Sequence, residues 1–277
     1  MVSKIKRKLP ILFFVIGLLM CSYPLAAGLL ESYSQRDTIK SYENSFEKDD
    51  KKILEEDLEK AHEYNNILFQ TNGAYVGNSS KILSDDSYHS ILNHSGTGIM
   101  GSIDIPIIDV SLPIYHGTSD EILSNSVGHV KESSFPVGGK NTRSLLTAHR
   151  GLPSSKLFTR LDEIMKDDLF YINIYGETLA YKVIDIQEIL PEQVDKLEII
   201  PEKDLVSLIT CTPYGINTHR LVVTGERIPY EKDIKESIHP KMMSGRELVF
   251  TIIPFMFIGL VIVKTKRLLI YKEKKEE

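Results

Sequence analysis

Residues 205–228 read LVSLITCTPYGINTHRLVVTGERI, two runs rich in Val, Ile and Thr that flank a segment with proline, glycine and asparagine. Runs of this composition predict β-strands, and residues 213–217 predict the turn between them. Antiparallel pairing across that turn would put Cys211 beside Arg220. The stretch therefore predicts a hairpin that carries a thiol and a guanidinium at one end.

Cys211 is one of two cysteines in the chain. The other, Cys21, lies in an apolar run near the N-terminus, so we expect no disulfide between them. An unpaired thiol in an exported protein is a liability because it oxidises or couples to other thiols. Its retention suggests a reactive role, and the alternative interpretation is a small buried hydrophobic residue.

A reactive cysteine needs a neighbouring base or cation, because a free thiol is mostly protonated at neutral pH. His149 ends an apolar run and precedes the turn-forming residues RGLP. Its imidazole can accept the thiol proton and return it to a leaving amine. Arg220 can donate hydrogen bonds to the oxyanion that forms when a thiol attacks an amide. We therefore expect Cys211, His149 and Arg220 to form a thiol acyl-transfer site.

The remaining histidines are assigned from their sequence context. His129 fits either direct catalytic work or a structural hydrogen bond. His219 neighbours Arg220, but strand alternation turns it to the opposite face and favours a structural role. Five histidines lie in polar or helical contexts and are expected at the surface: His62, His89, His94, His116 and His239.

Two apolar runs, residues 9–30 and 248–263, predict a transmembrane helix at each end of the chain. The first run has about 22 residues, enough to cross a hydrocarbon core of roughly 30 Å. Basic residues precede the first run and follow the second, which predicts both termini in the cytoplasm and residues 31–247 outside a cell membrane. A cleavable signal peptide and an interfacial or re-entrant C-terminal helix are the alternatives.

The composition limits the classes of partner and cofactor. A net charge of −5 argues against a nucleic-acid binder, since the basic residues concentrate at the termini, where a lipid bilayer explains them. The sequence contains no phosphate loop, no Cys-x-x-Cys pair and no His-Glu-x-x-His motif. We therefore expect no metal and no organic cofactor.

The sequence predicts six segments along the chain. Residues 1–30 form the cytoplasmic end and first anchor, and 31–76 an amphipathic helical segment that ends near residue 72 and either stands as a stalk or packs on the domain. Residues 77–98, rich in Ser, Asn, Asp and Gly, predict a long exposed loop. Residues 99–230 form the main domain, 231–247 a linker, and 248–277 the second anchor with a basic cytoplasmic tail.

The main domain has the pattern of a β fold. Short strand-like runs alternate with turns, and residues 157–165 predict a short helix between two of them. Seven or eight strands at this spacing predict a mainly β, closed or nearly closed barrel. The predicted strands are residues 100–105, 110–114, 144–148, 170–174, 179–190, 205–211 and 220–228.

Residues 210–220, TCTPYGINTHR, resemble the signature of sortases, and in particular of the pilus-building class C enzymes. Three further segments support the resemblance: LPIYHG at 112–117, GH at 128–129 followed by PVGG at 136–139, and AHRGLP at 148–153. The similarity runs from about residue 101 to residue 229 in the expected order. The paired membrane anchors also match the family.

The resemblance implies an eight-stranded β-barrel transpeptidase that needs no cofactor, although some sortases respond to calcium. Cys211 would attack the threonine carbonyl of an LPxTG-like sorting signal and form a thioester. His149 would act as acid and base, and Arg220 would hold the substrate and stabilise the oxyanion. A lysine amine of the next pilin subunit would then resolve the thioester and leave an isopeptide bond.

Class C sortases usually carry an N-terminal lid with an Asp-Pro-aromatic tripeptide. The corresponding loop here contains Asp86-Ser87-Tyr88, which lacks the proline and is therefore less preorganised. The resemblance implies that Asp86 pairs with Arg220 while Tyr88 covers Cys211. The same residues also fit an ordinary polar loop.

Two other functions remain open from the sequence. The thioester could be resolved by the amine of a cell-wall precursor, which would anchor proteins singly to peptidoglycan. Alternatively, the protein could be a non-catalytic membrane scaffold that gathers pilins. A scaffold has no need for a free thiol with a histidine and an arginine, which favours the enzyme.

Overall fold

A computed structural model describes residues 2–47, 51–71, 82–151, 156–241, 252, 255–261 and 263. The chain divides into two compact units, residues 30–241 and residues 1–29 with 242–277. Several predicted features fall outside the described residues. These are the first part of the predicted lid-like loop (77–81), the end of the linker (242–247) and the basic tail from residue 264.

Eight strands close into a barrel. The strands are β1 (Ile99–Ile105), β2 (Val110–His116), β3 (Val127–His129), β4 (Thr142–Thr147), β5 (Leu169–Ile174), β6 (Glu177–Ile189), β7 (Asp204–Thr212) and β8 (His219–Ile228). Their order around the barrel is β1-β2-β3-β4-β7-β8-β6-β5. The β2–β3 and β4–β7 pairs are parallel, and the other neighbouring pairs are antiparallel. The mainly β, closed eight-stranded barrel is thereby confirmed.

Helices precede the barrel and connect its strands. The region expected to hold a helix at 157–165 contains only a 3₁₀ turn, Leu161–Glu163. Two further 3₁₀ helices are Pro106–Ile108 and Pro191–Lys196. The α-helices are α1 (Val2–Phe46), α2 (Lys51–Thr71), α3 (Asp85–Ser90), α4 (Asp120–Asn125) and α5 (Lys232–Ser237).

Helix α2 packs on the barrel rather than standing as a stalk. Its Asn65 side chain donates to the carbonyl of Phe135 at 3.0 Å and accepts from the Phe135 N–H at 2.7 Å. The Tyr64 hydroxyl donates to the carbonyl of Lys131 at 2.7 Å. The apolar face predicted from residues 31–76 therefore has a partner, with Ala61 and Leu68 among its buried residues.

The prediction of a transmembrane helix at each end is wrong. Among the described residues, no helix combines the length and the apolar character that crossing a bilayer requires. The N-terminal apolar run belongs to α1, which continues without interruption through charged residues such as Glu31, Arg36 and Asp37. The same finding overturns the predicted membrane localisation, which depended on the two spans.

Alternation along the strands creates two hydrophobic clusters. On β7, Val206 and Leu208 belong to the main core. The next residue, Ile209, points to the opposite face of the sheet and packs there with Leu145 and Val222. We call these three residues the second cluster. Partly buried side chains cover it: Val130, Ile189, Val194 and Leu197.

Candidate active site

The β7–β8 hairpin predicted from residues 205–228 is present and holds two of the predicted site residues side by side. Cys211 and Arg220 are directly opposite each other in the antiparallel register. Residues in such positions have Cβ atoms about 4.5–5.5 Å apart. Both side chains are half-buried, so the pair remains open to solvent on one side.

His149 follows β4, the strand that runs parallel to β7. The chain stays alongside β7 beyond the ladder, because the Ala148 N–H donates to the carbonyl of Ile209 at 3.2 Å. The Ala148 carbonyl also accepts from Thr210 Oγ1 at 2.8 Å. Continuing the β4–β7 register by two residues puts the half-buried His149 level with Cys211.

All three predicted residues share a face of the sheet with the second cluster. Cys211 and Arg220 are each two positions from the cluster member on their own strand, and His149 is four positions from Leu145 on the strand that it follows, so alternation puts the side chains on the same side. Cys211 lies two residues beyond Ile209, and Arg220 two residues before Val222. The candidate site therefore consists of the thiol, the guanidinium and the imidazole of His149 at one end of this face, beside the second cluster.

The guanidinium of Arg220 is held at the end of the hairpin by backbone carbonyls. Its Nη1 donates to the carbonyl of His219 at 3.2 Å and to that of Asn217 at 3.4 Å. These bonds restrict a long side chain that would otherwise lose much rotamer freedom on engaging a substrate. The arrangement can present a fixed positive charge next to Cys211.

Tyr88 takes a different place from the one the lid interpretation predicts. It lies in α3 and is completely buried, with its ring stacked on His129 and Phe135. Its hydroxyl is 3.0 Å from His129 Nδ1 and 3.1 Å from the His129 carbonyl. The N–H of Gly117 donates to the same hydroxyl at 2.9 Å.

His129, which contacts the ring and the hydroxyl of Tyr88, is distant from the Cys211 thiol. His129 pairs with Leu146 on β4, and Leu146 pairs with Leu208 on β7, three residues before Cys211. With ordinary strand spacing and rise per residue, His129 and Cys211 are about 10 Å apart across the sheet and about 10 Å apart along the strands. Helix α3 and the residues around it form a packed part of the domain, since Leu83, Ile91 and Leu92 are also buried.

Asp86 is exposed in the first turn of α3. Within the described ranges, neither Asp86 nor Arg220 takes part in an ion pair. The structure thus brings Cys211, His149 and Arg220 to one end of the sheet, and it does not bring Asp86 and Tyr88 to them.

His116, which the sequence assigns to the surface, is buried, so that prediction is wrong. Its Nε2 lies 2.7 Å from the carbonyl of Ile91 and its Nδ1 2.9 Å from that of Gly98. Burial lowers the pKa of His116. The sequence left two roles open for His129, and the structure favours the structural hydrogen bond over direct catalysis. Its Nε2 lies 2.9 Å from the carbonyl of Ser134, and its Nδ1 faces Tyr88.

We predict that His129 makes folding stability fall in mild acid. Its complete burial lowers its pKa from 6.5 to about 3, so between these values the unfolded chain binds a proton that the folded protein does not. Stability from this residue is therefore fully present above pH 6.5 and is lost as the pH falls toward 3. Linkage gives a loss of about 2 kcal/mol between pH 7 and pH 5.

Urea unfolding at both pH values measures this effect. In His129→Gln the difference in unfolding free energy between pH 7 and pH 5 should shrink by about 2 kcal/mol, because glutamine does not titrate. The exposed His239→Gln variant is the control and should keep the wild-type difference. An unchanged difference in His129→Gln would contradict the assignment. The other titrating groups are common to all three proteins and cancel.

Two cavities in the described part of the chain lie away from Cys211. One, of about 340 Å³, is lined by α1 and by the turn between β5 and β6. The other, of about 490 Å³, is lined by α1 and by the connection between β2 and β3. None of the three predicted site residues borders either of these two cavities. Across the same described residues, no cluster of His, Cys, Asp and Glu could hold a metal ion.

A closed eight-stranded barrel with a half-buried cysteine at a strand end, an arginine opposite it and a histidine level with it has the architecture of a cysteine transpeptidase. The family model described as the sortase domain matches residues 103–228. Several proteins of known crystal structure are also similar to this chain. Sortase C1 from Streptococcus agalactiae is 40% identical with a TM-score of 0.65, and the match covers 70% of this chain and 100% of that one.

Sortase C from Streptococcus pneumoniae is 37% identical with a TM-score of 0.62, covering 70% of this chain and 97% of that one. Among proteins known by sequence, Sortase A of Streptococcus agalactiae serotype III (strain NEM316) is 31% identical over 157 residues. That match covers 55% of this chain and 63% of the relative, so the chain spans less than two thirds of that protein's length. The chain belongs to the sortase family, and its structural neighbours are class C sortases.

Proposed function

We propose that the protein is a cysteine transpeptidase that cleaves an LPxTG-like sorting signal and joins pilin subunits through a lysine isopeptide bond. The observation that carries the proposal is the shared face of the sheet. On this face the strand register brings Cys211, Arg220 and His149 level with one another, beside the second cluster and the side chains that cover it.

The first half-reaction forms the acyl-enzyme. The Cys211 sulfur attacks the threonine carbonyl of the sorting signal, and His149 takes the thiol proton. Arg220 donates to the oxyanion of the tetrahedral intermediate. The carbon–nitrogen bond to glycine then breaks, His149 protonates the leaving amine, and a thioester to Cys211 remains.

The second half-reaction transfers the acyl group. A lysine amine of another pilin subunit attacks the thioester carbonyl, and His149 accepts the proton that the amine loses. The carbon–sulfur bond breaks, an isopeptide bond forms, and the proton returns to the Cys211 sulfur. No oxidant, reductant or cofactor is needed to balance these steps.

Several features favour a cysteine transpeptidase over a non-catalytic scaffold that binds pilins. The thiol is half-buried and opposite a charged guanidinium, whereas a structural cysteine is usually buried among apolar residues. The partly buried side chains that cover the second cluster, among them Val130 and Ile189, offer apolar surface to the apolar positions of an LPxTG-like peptide. The similar sortase C from Streptococcus pneumoniae is described with respect to pilin substrate specificity, which favours a pilin here as well.

Trapping the acyl-enzyme tests the proposal. The protein is incubated with a peptide that contains LPxTG and no amine acceptor, and intact-mass spectrometry follows the protein. We expect an adduct with the mass of the peptide up to threonine, released by hydroxylamine, which cleaves thioesters. A protein that remains at its own mass after prolonged incubation would refute the proposal.

The product linkage separates the pilin-joining function from the cell-wall alternative. With a pilin subunit as acceptor, we expect peptide mapping to find threonine joined to a lysine side chain. Transfer only to the amine of a peptidoglycan precursor would instead support single anchoring of surface proteins.

A further inference from the structure

Arg150 is a buried cation that the acyl-transfer mechanism does not use. Its side chain is 3% exposed, and its Nη2 forms an ion pair with Asp162, whose side chain is 34% exposed. Its Nη1 donates to Thr212 Oγ1 at 3.2 Å and lies 3.5 Å from the carbonyl oxygen of Cys211. One guanidinium therefore links the 3₁₀ turn after β4 to the last two residues of β7.

The position of Arg150 in the chain gives this link a specific consequence. The hydrogen-bonded contact between β4 and β7 runs as far as Ala148, immediately before His149. Arg150 follows His149 directly, and its side chain continues the connection to the level of Cys211. The imidazole is thus flanked on both sides along the chain by residues that are bonded to β7.

The link acts from the face opposite the thiol. Thr212 follows Cys211, so its side chain projects to the other side of the strand, where Arg150 reaches it. The Thr212 hydroxyl also donates to Glu188 Oε1 at 3.3 Å. Arg150 can therefore hold the strand end in place without occupying the cleft in which a peptide would bind.

Tyr214, in the β7–β8 turn, packs against Arg150 and Gly151. Its ring centroid lies 5.9 Å from the guanidinium carbon of Arg150. The backbone of Gly151 approaches the same ring so closely that an added Cβ would come within 3.0 Å of it. The segment after His149 and the segment after Cys211 are therefore packed against each other as well as hydrogen-bonded.

We propose that Arg150 is a positioning residue, which sets the distance and orientation between the His149 imidazole and the Cys211 thiol. The inference rests on the proposed function, because it assigns Arg150 a role through those two groups. A displacement of about 1 Å between reacting groups can lower a rate by roughly 10²-fold. Lysine at position 150 would keep a positive charge for Asp162 but has no planar group that reaches both Asp162 and Thr212.

The kinetic test compares Arg150→Lys with a matched variant. We expect Arg150→Lys to lower kcat for acyl transfer about 10- to 100-fold with KM changed less than about threefold, because alignment rather than peptide binding is lost. The control is Arg160→Lys, which alters an equally buried arginine paired with Glu163 at 2.8 Å and bonded to the carbonyl of Lys241. It should keep kcat within about twofold, as expected for a residue outside the site.

Thr212→Val provides a second test that leaves the buried ion pair intact. It removes the acceptor hydroxyl at nearly constant volume and should lower kcat about 3- to 10-fold, in the same direction as Arg150→Lys. Thermal unfolding of each variant establishes that the barrel is folded. Wild-type kcat in both Arg150→Lys and Thr212→Val would overturn the proposal.

Alkylation of Cys211 by iodoacetamide separates positioning from a general structural effect and needs no substrate. Arg150→Lys should slow alkylation in the wild-type background. It should leave the rate unchanged in a His149→Ala background, because Arg150 affects the thiol through the position of the imidazole, which that variant lacks. Equal slowing in both backgrounds would reject the positioning role. Failure of wild-type protein to form an acyl-enzyme would refute the proposed function separately, because the alkylation cycle does not depend on it.

Discussion

Replacement of Cys211 by alanine is expected to abolish both the acyl-enzyme and the isopeptide-linked product while the barrel stays folded. The thioester requires this sulfur, and no other nucleophile is proposed in either half-reaction. The side chain is half-buried, small and on the face opposite the main core, so its loss leaves little unfilled volume. The effect on activity should therefore be complete and the effect on stability small.

Intact-mass spectrometry with the sorting-signal peptide and gel analysis of pilin ladders measure the two outcomes. Cys21→Ala removes the other cysteine of the chain and is the matched control, which should retain full activity. Cys211→Ser should bind pilin and fail to join it, which distinguishes the enzyme from a scaffold. Ladders that persist in Cys211→Ala with no other sortase present would contradict the mechanism.

The sequence predicted the part of the fold that depends on local alternation. The β7 and β8 runs are rich in Val, Ile and Thr, and the turn between them contains residues that favour reversal, so strand, turn and register could all be inferred. The pairing of Cys211 with Arg220 follows from that register. The seven predicted strands are all present, whereas β3 (Val127–His129) was missed because three residues are too short to show a period.

Features that depend on tertiary contacts were not predictable in the same way. The residues around Tyr88 have the composition of a polar loop, yet Ser84 caps a short helix whose tyrosine is buried against His129. The polar surroundings of His116 in the sequence gave no sign that both of its ring nitrogens meet backbone carbonyls. Local composition cannot reveal such partners because they are distant in the chain.

Arg150 shows the same limit within the candidate site. Next to His149 in a turn-forming sequence, an arginine suggests a solvated side chain, and the sequence analysis assigned it no role. Its partners are Asp162 and Thr212, which lie 12 and 62 positions further along the chain. Only the parallel pairing of β4 with β7 brings Thr212 to it.

The transmembrane anchors were inferred from two apolar runs and the basic residues beside them, and this inference failed for a related reason. An apolar run predicts a helix, but the run does not state where that helix ends. In the structure the N-terminal run is continuous with a charged segment that includes Arg36 and Lys40, and together they form α1.

Substitution of Arg220 by alanine is expected to lower kcat/KM for acyl-enzyme formation about 10²- to 10³-fold, the usual effect of removing one oxyanion donor. Arg220 lies opposite Cys211, and the carbonyls of His219 and Asn217 hold its guanidinium there. Arg220→Lys should recover part of the loss, since lysine retains the charge but not the planar set of donors.

Arg227→Ala is the matched control for Arg220→Ala, because Arg227 lies on the same strand seven residues away. It pairs with Tyr181 on β6, and its guanidinium carbon is 5.7 Å from that ring. Rapid-quench mass spectrometry of the acyl-enzyme gives the rate for each variant, and we expect the control to stay within about threefold of wild type. If Arg220→Ala kept that same rate, the oxyanion would be stabilised by other donors, most directly by backbone N–H groups near Cys211. Because such donors would not carry a charge, lysine at position 220 would then give no advantage over alanine.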